Sequence, residues 1–180
     1  MDAFRGGRAV SSLEYLNDYP PDSYRGLYLL ECISFAAIAS AIEQLPGKYI
    51  VAFVIADFSL LSLDEMTSIV RLLIRSGARY LCAAGPMCQE AHEAFDWACL
   101  DIEEKEGSVI LTTDHSQESL MEAIWFVLNC AYPCNPYDQD WHATVAICIN
   151  NQVAAQSVRD AFSDPVRFTE LHCSLRDDKQ

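Results

Sequence analysis

Cys88, His92 and Asp96 stand at successive intervals of four residues. On a helix such residues share one face. A thiol, an imidazole and a carboxylate in that order are the parts of a nucleophile, its base and the group that orients the base. Gly85-Pro86 lies just ahead, and proline is harmless in a first helical turn because its missing N–H would be unpaired there anyway. The helix is therefore expected to open near Pro86, with Cys88 in its first turn. There the helix dipole and the unpaired N–H groups favour a thiolate. Thr112, Asp114 and His115 close a later apolar run and are expected to meet Cys88 across a cleft, which makes His115 an alternative base. Two features weigh against catalysis. No G-x-S-x-G or G-x-C-x-G elbow announces a sharp nucleophile turn. A cysteine at a helix start among apolar residues also serves as plain packing, and a His–Asp pair four apart as a surface hydrogen bond.

The elements that must position these residues are read from hydrophobic period. Lys48 to Asp57, KYIVAFVIAD, is a near-continuous apolar run bounded by Pro46-Gly47. It reads as a strand buried on both faces, Ile50 to Ala56, of the kind found at the centre of parallel sheets. Ser62 and Glu65 form a capping box, Met66, Ile69, Val70, Leu73 and Ile74 share a helical face, and Gly77 supplies a stop. Tyr80–Ala84 is the second strand, and a helix from Pro86 runs to about Glu104. Ser108–Thr113 is the third strand, and Leu120, Ile124, Val127 and Leu128 mark the next helix. His142–Ile149 is the fourth strand, and Asn150-Asn151 starts a last helix that Ser163-Asp164-Pro165 stops. Leu27–Cys32 reads as a further strand, Phe35–Leu45 as a helix, and Val166–Leu171 alternates as a short edge strand would.

Strand and helix alternate, which predicts an α/β fold: three layers, doubly wound and Rossmann-like, with a mostly parallel sheet of four to five strands and helices on both faces. Residues 1–22, with Gly6-Gly7 and Pro20-Pro21, read as a flexible tail. Residues 23–175 read as a single domain and 176–180 as a C-terminal tail. In such sheets ligands gather at the carboxyl ends of the strands. That selects Asp57, Gly85, Thr112, Asp114 and Asn150 as a ligand-binding cleft.

Charge narrows the partners. The chain has 180 residues, of which 12 are basic and 26 acidic, for a net charge of −14. A phosphate backbone needs clustered lysine and arginine, so nucleic acid is excluded. No run of 18 apolar residues marks a membrane helix, and MDAFRGGRAVSS has no apolar signal core. A cytoplasmic protein with eight reduced cysteines is expected, with Cys32, Cys82, Cys99 and Cys148 as small core hydrophobes. Cys130 and Cys134, with three residues between them, and His142 eight further on fall short of a zinc set, because no second close pair accompanies them. No P-loop or G-x-G-x-x-G occurs. No metal or cofactor is expected, and Trp97, Trp125 and Phe126 are expected to pack.

Tyr80–Asp96 (YLCAAGPMCQEAHEAFD) and Thr112–Phe126 (TTDHSQESLMEAIWF) resemble an uncharacterised family of small bacterial α/β domains. The shared pattern is G-P-x-C followed by a spaced His and Asp, then T-T-x-H and an apolar helix containing Trp. It falls on Gly85, Pro86, Cys88, His92, Asp96, Thr112, Thr113, His115 and Trp125. Members often carry Trp before the Gly-Pro, where this chain has Ala84. The resemblance implies the fold and marks the cleft, and it implies no reaction. Two readings follow from the residues. One is a non-enzymatic acidic protein that binds a protein partner or a small ligand at the carboxyl ends of its strands. The other is a cysteine-dependent hydrolase or transferase using Cys88 with His92 or His115.

Overall fold

In the computed structural model, which describes residues 12–19, 25–33, 37–106, 109–134 and 137–177, the apolar run at the heart of the sequence becomes strand β3, Tyr49–Ile55. Its side chains divide cleanly. Ile50, Ala52 and Val54 enter one hydrophobic core, and Val51, Phe53 and Ile55 enter another on the opposite face. Neither face needs a polar residue, which is why the sequence shows no alternation.

The other strands are β1 (Ser12–Asp18), β2 (Gly26–Cys32), β4 (Ala78–Ala84), β5 (Leu111–Asp114) and β6 (Trp141–Ile149). They form one sheet in the order β1-β2-β6-β3-β4-β5. β1 runs antiparallel to β2, and every other pairing is parallel. The helices are α1 (Ile38–Ile42), α2 (Leu63–Arg75), α3 (Cys88–Glu106), α4 (Leu120–Asn129), α5 (Gln152–Ser163) and α6 (Pro165–Asp177). Ile38 of α1, Ile69 of α2 and Phe95 of α3 share the first core. Ile124 of α4 and Val158 of α5 share the second. This sidedness follows from right-handed crossovers: the chain moves one way across the sheet through β3, β4 and β5, then returns through α4 to β6. The three-layer α/β architecture expected from the sequence is thus present, with six strands in place of four to five.

Local chemistry fixes the element ends. The Ser62 backbone N–H donates to Glu65 Oε2 at 2.8 Å while the Glu65 N–H donates to Ser62 Oγ at 3.3 Å, the reciprocal box that starts α2. Ser119 and Glu122 repeat it at α4, at 2.8 and 3.3 Å. Asn151 Oδ1 accepts the Ala154 N–H at 3.0 Å and caps α5.

Several expectations are corrected. Ser12–Asp18, placed within a tail, pair with β2 as an edge strand; the rest of the proposed N-terminal tail, 1–11 and 20–22, lies outside the described residues. At the other end α6 runs to Asp177, past the expected boundary at 175, and residues 178–180 lie outside the described residues. Val166–Leu171 belong to α6 and not to an edge strand. Asp164-Pro165 ends α5 and also starts α6: Asp164 Oδ1 accepts the Arg167 N–H at 3.2 Å, and Pro165 takes the first helical position. Trp97 does not pack, being 74% exposed. α3 begins at Cys88, not at Pro86. Gly85 and Met87 have φ of 115° and 59°, both outside the helical region.

Candidate functional site

The residues singled out for chemistry separate into two groups along the carboxyl edge of the sheet. The first lies where α3 crosses β5. His92 Nε2 sits 3.0 Å from Thr112 Oγ1 and 3.6 Å from Asp96 Oδ1. Its Nδ1 sits 3.7 Å from Asp114 Oδ2, and Thr112 Oγ1 donates to Asp96 Oδ1. Both ring nitrogens are therefore turned toward oxygen atoms of these three residues, leaving none aimed at Cys88. Hydrogen bonds from the Ser116 hydroxyl and backbone N–H hold the Asp114 carboxyl below its usual value, and His92 adds to the effect.

Cys88 is 1% exposed and packs in the core under α1–α3. Burial pushes its thiol above the ordinary value; the His115 backbone N–H pulls the other way and is outweighed, with Asp114 adding to the rise. This is the reverse of the thiolate stabilisation expected at a helix start, because desolvation overrides the dipole. His115 is on the far side of β5. Alternation along the strand sends Thr112 and Asp114 toward α3 and His115 toward α4. The ring of His115 lies 4.9 Å from that of Phe126 and 6.2 Å from that of Phe53, and its Nδ1 is 2.8 Å from Glu118 Oε2. So His92, Asp96, Thr112 and Asp114 come together, while Cys88 and His115 each belong to a different core.

The second group surrounds the ends of β2, β6 and β3. Here α2 leaves on one face of the sheet and α5 on the other, so the chain parts and opens a cleft, as at other topological switch points. The cleft holds about 450 Å³ and is lined by Ile33, Leu60, Leu61 and Pro86 as apolar walls, with Asp57, Asn150 and Asn151 as polar groups. Ile33, Asn150 and Asn151 also line an adjoining groove of about 530 Å³, together with Glu31 and Gln152. No lysine or arginine is among the described residues lining either. Asp57 Oδ1 accepts the Ser59 N–H and hydroxyl at 3.1 and 2.6 Å. The Asn150 N–H donates to the Cys32 carbonyl at 2.8 Å, which ties β6 to β2 and holds Asn150 in the left-handed region at φ 49°. Asparagine tolerates that conformation better than most residues.

Gly85 does not line the cleft but shapes it. A Cβ there would stand 2.2 Å from the Ala56 carbonyl oxygen. The close approach lets the Ala56 N–H reach the Ala84 carbonyl at 3.2 Å and the Phe58 N–H reach the Pro86 carbonyl at 3.0 Å, which sets Asp57 beside Pro86. Of the expected cleft residues, then, Asp57 and Asn150 line it, Gly85 supports it, and Thr112 and Asp114 belong to the His92 group. Ile33, Leu60, Leu61, Pro86 and Asn151 line it in addition to the residues expected from the sequence. The available signal was the position of Ile33 just after β2 and of Leu60 and Leu61 at the end of the capped 3₁₀ turn Phe58–Leu60. Cys130 is exposed at the end of α4, and among the described residues no group of three or more His, Cys, Asp or Glu could hold a metal ion.

A family model described as "Domain of unknown function (DUF7684)" matches residues 29–165. The chain belongs to the DUF7684 family. The matched stretch takes in both groups of site residues and the blocks Tyr80–Asp96 and Thr112–Phe126, so the likeness to an uncharacterised family seen in those blocks holds. No curated protein matches this DUF7684 member. Among solved structures it is similar to the "Structure of UDP-N-acetylmuramoylalanyl-D-glutamyl-2,6-diaminopimelate--D-alanyl-D-alanyl ligase from Acinetobacter baumannii", with a TM-score of 0.42 and 16% identity over 83% of this chain and 28% of that one. The DUF7684 chain thus spans less than a third of that ligase, and likeness at this level transfers no activity.

Proposed function

We propose that this protein is a non-enzymatic binding domain that takes a small ligand in the cleft at the carboxyl ends of β2, β6 and β3. The observation that carries the reading is the cleft itself: about 450 Å³ with apolar walls and with Asp57, Asn150 and Asn151 in its lining, placed where the sheet topology reverses. The cysteine-hydrolase alternative has less support, since Cys88 is sealed in the core and His92 faces Thr112, Asp96 and Asp114. All eight cysteines are free, which supports a reducing compartment, the cytoplasm. Among the described residues no helix is long and apolar enough to cross a membrane. The acidic balance supports leaving nucleic acid out of the partner set.

The test is a small-molecule screen by protein-observed NMR, repeated on Leu60→Trp. Leu60 lines the cleft and is 75% exposed, so the larger ring is tolerated and adds bulk at the cleft wall. Ligands should shift the amides of Ile33, Asp57 and Asn150 and lose binding in the variant. Ligands that shift only His92, Thr112 and Asp114, and bind Leu60→Trp unchanged, would move the site to β5.

A further inference from the structure

We infer that the cleft selects a small organic cation, a primary amine on a branched or cyclic aliphatic body. The inference rests on the cleft being the binding site and adds the chemistry of what it holds.

Charge is the first argument. The cleft and the adjoining groove include two carboxylates, Asp57 and Glu31, and no lysine or arginine among the described residues. An anion there would meet the Asp57 carboxylate with no lysine or arginine beside it in the lining. Glu31 is already committed: Arg159 Nη2 donates to its Oε1, while Arg159 Nε donates to Glu14 Oε2 at 3.0 Å. Asp57 is not neutralised in this way. Its Oδ1 accepts from Ser59, and its Oδ2 takes no hydrogen bond from the described residues. Asp57 therefore has one acceptor atom and a negative charge to offer.

The second argument is the partner groups. The Asn150 carboxamide also lines the cleft, and its side chain makes no hydrogen bond with the described residues. Its position is held by the backbone, since the Asn150 N–H is tied to the Cys32 carbonyl. An ammonium carries three donors and no acceptor. It brings the charge opposite to Asp57 and donors for both the carboxylate and the amide oxygen, whereas a hydroxyl brings one donor and no charge and a carboxylate is repelled by Asp57. The third argument is the body. Ile33, Leu60, Leu61 and Pro86 are apolar, and Ile33 and Leu60 are 63% and 75% exposed. An aliphatic group laid on them removes exposed apolar surface from water.

The experiment uses three probes of one carbon skeleton on the full chain: 3-methylbutylamine, 3-methylbutan-1-ol and 3-methylbutanoate. Amide shifts are followed by two-dimensional NMR at matched ionic strength, up to the millimolar range expected of fragments. The amine should shift Ile33, Asp57 and Asn150 saturably and bind about tenfold tighter than the alcohol, with the carboxylate weakest. Asp57→Asn keeps a good capping residue, so the 3₁₀ turn persists. It should weaken the amine to the level of the alcohol. If amine and alcohol bind the cleft equally in the parent, the cation assignment falls and the cleft as binding site stands. If the carboxylate binds best, the assignment is reversed. If none of the three shifts these amides, both the cation and the cleft reading fail.

Discussion

Gly85→Ala tests whether the cleft is built by the close approach of two backbones. At φ 115° a side chain is disfavoured by roughly 1–2 kcal/mol on conformation alone. The added Cβ would also lie 2.2 Å from the Ala56 carbonyl oxygen, so the ends of β3 and β4 must separate. That puts the Ala56–Ala84 and Phe58–Pro86 hydrogen bonds at risk, at about 1 kcal/mol each. The sum is about 3–4 kcal/mol. With a urea slope of ~2 kcal/mol/M for a domain of this size, the unfolding midpoint should fall by about 1.5–2 M. Gly77→Ala is the matched control. It has φ 97° and a Cβ 2.2 Å from the Lys48 carbonyl oxygen, but it lies at the opposite, amino end of β4. Both variants should lose similar stability by circular dichroism. Only Gly85→Ala should shift the amides of Asp57 and Asn150 in the folded fraction. A midpoint change below about 0.5 M for Gly85→Ala would refute the backbone juxtaposition, and equal amide shifts in the two variants would refute its local role.

Ile55→Asp places a carboxylate at a site 2% exposed in the core under α4 and α5. It should cost several kcal/mol of a total of roughly 5–15 and abolish cooperative thermal unfolding; a melt like that of the parent would contradict the burial. Limited iodoacetamide labelling read by mass spectrometry should modify the exposed Cys130 and Cys173 first and Cys88 only on unfolding. Cys148, whose burial pushes its thiol up to about 12, should be as slow, and early label on Cys88 would restore the nucleophile reading. Hydrogen bonds from Ser62 hold Glu65 below its ordinary value, and those from Ser116 do the same for Asp114. A depressed carboxyl stabilises the fold fully above its unfolded value near ~4 and loses that contribution as pH falls through the folded one. Urea midpoints should therefore drop below about pH 4, and the drop should be smaller in Asp114→Asn, with an identical profile counting against the Asp114 interactions.

β3 was readable because a strand buried on two faces must be apolar throughout, and Ile50 to Ile55 obey that without help from distant residues. The capping box at Ser62 was readable for the same reason, since donor and acceptor lie three residues apart. β1 was not, because SLEYLND carries no core of its own and becomes a strand only by pairing with β2. Asp164-Pro165 suits a helix stop and a helix start equally, and the packing of Phe168 and His172 toward Trp125 decides it. The separation of His92 from His115 follows from strand alternation at Thr112–His115, once β5 is known to lie between α3 and α4. The cleft could not be read locally. It depends on β6 entering between β2 and β3, and strand order is not written in any window of the sequence.

That placement of β6 also governs how the molecule comes into being. β2 and β3 both dock on β6, yet β6 spans residues 141–149, so two apolar strands made early wait for a neighbour made late. Until it arrives β2 and β3 each lack the neighbour that covers one of their edges. Such edges are templates for wrong pairing, and closing contacts this far apart in sequence is slow. A product terminated before Trp141 lacks the strand that joins β2 to β3 in the sheet.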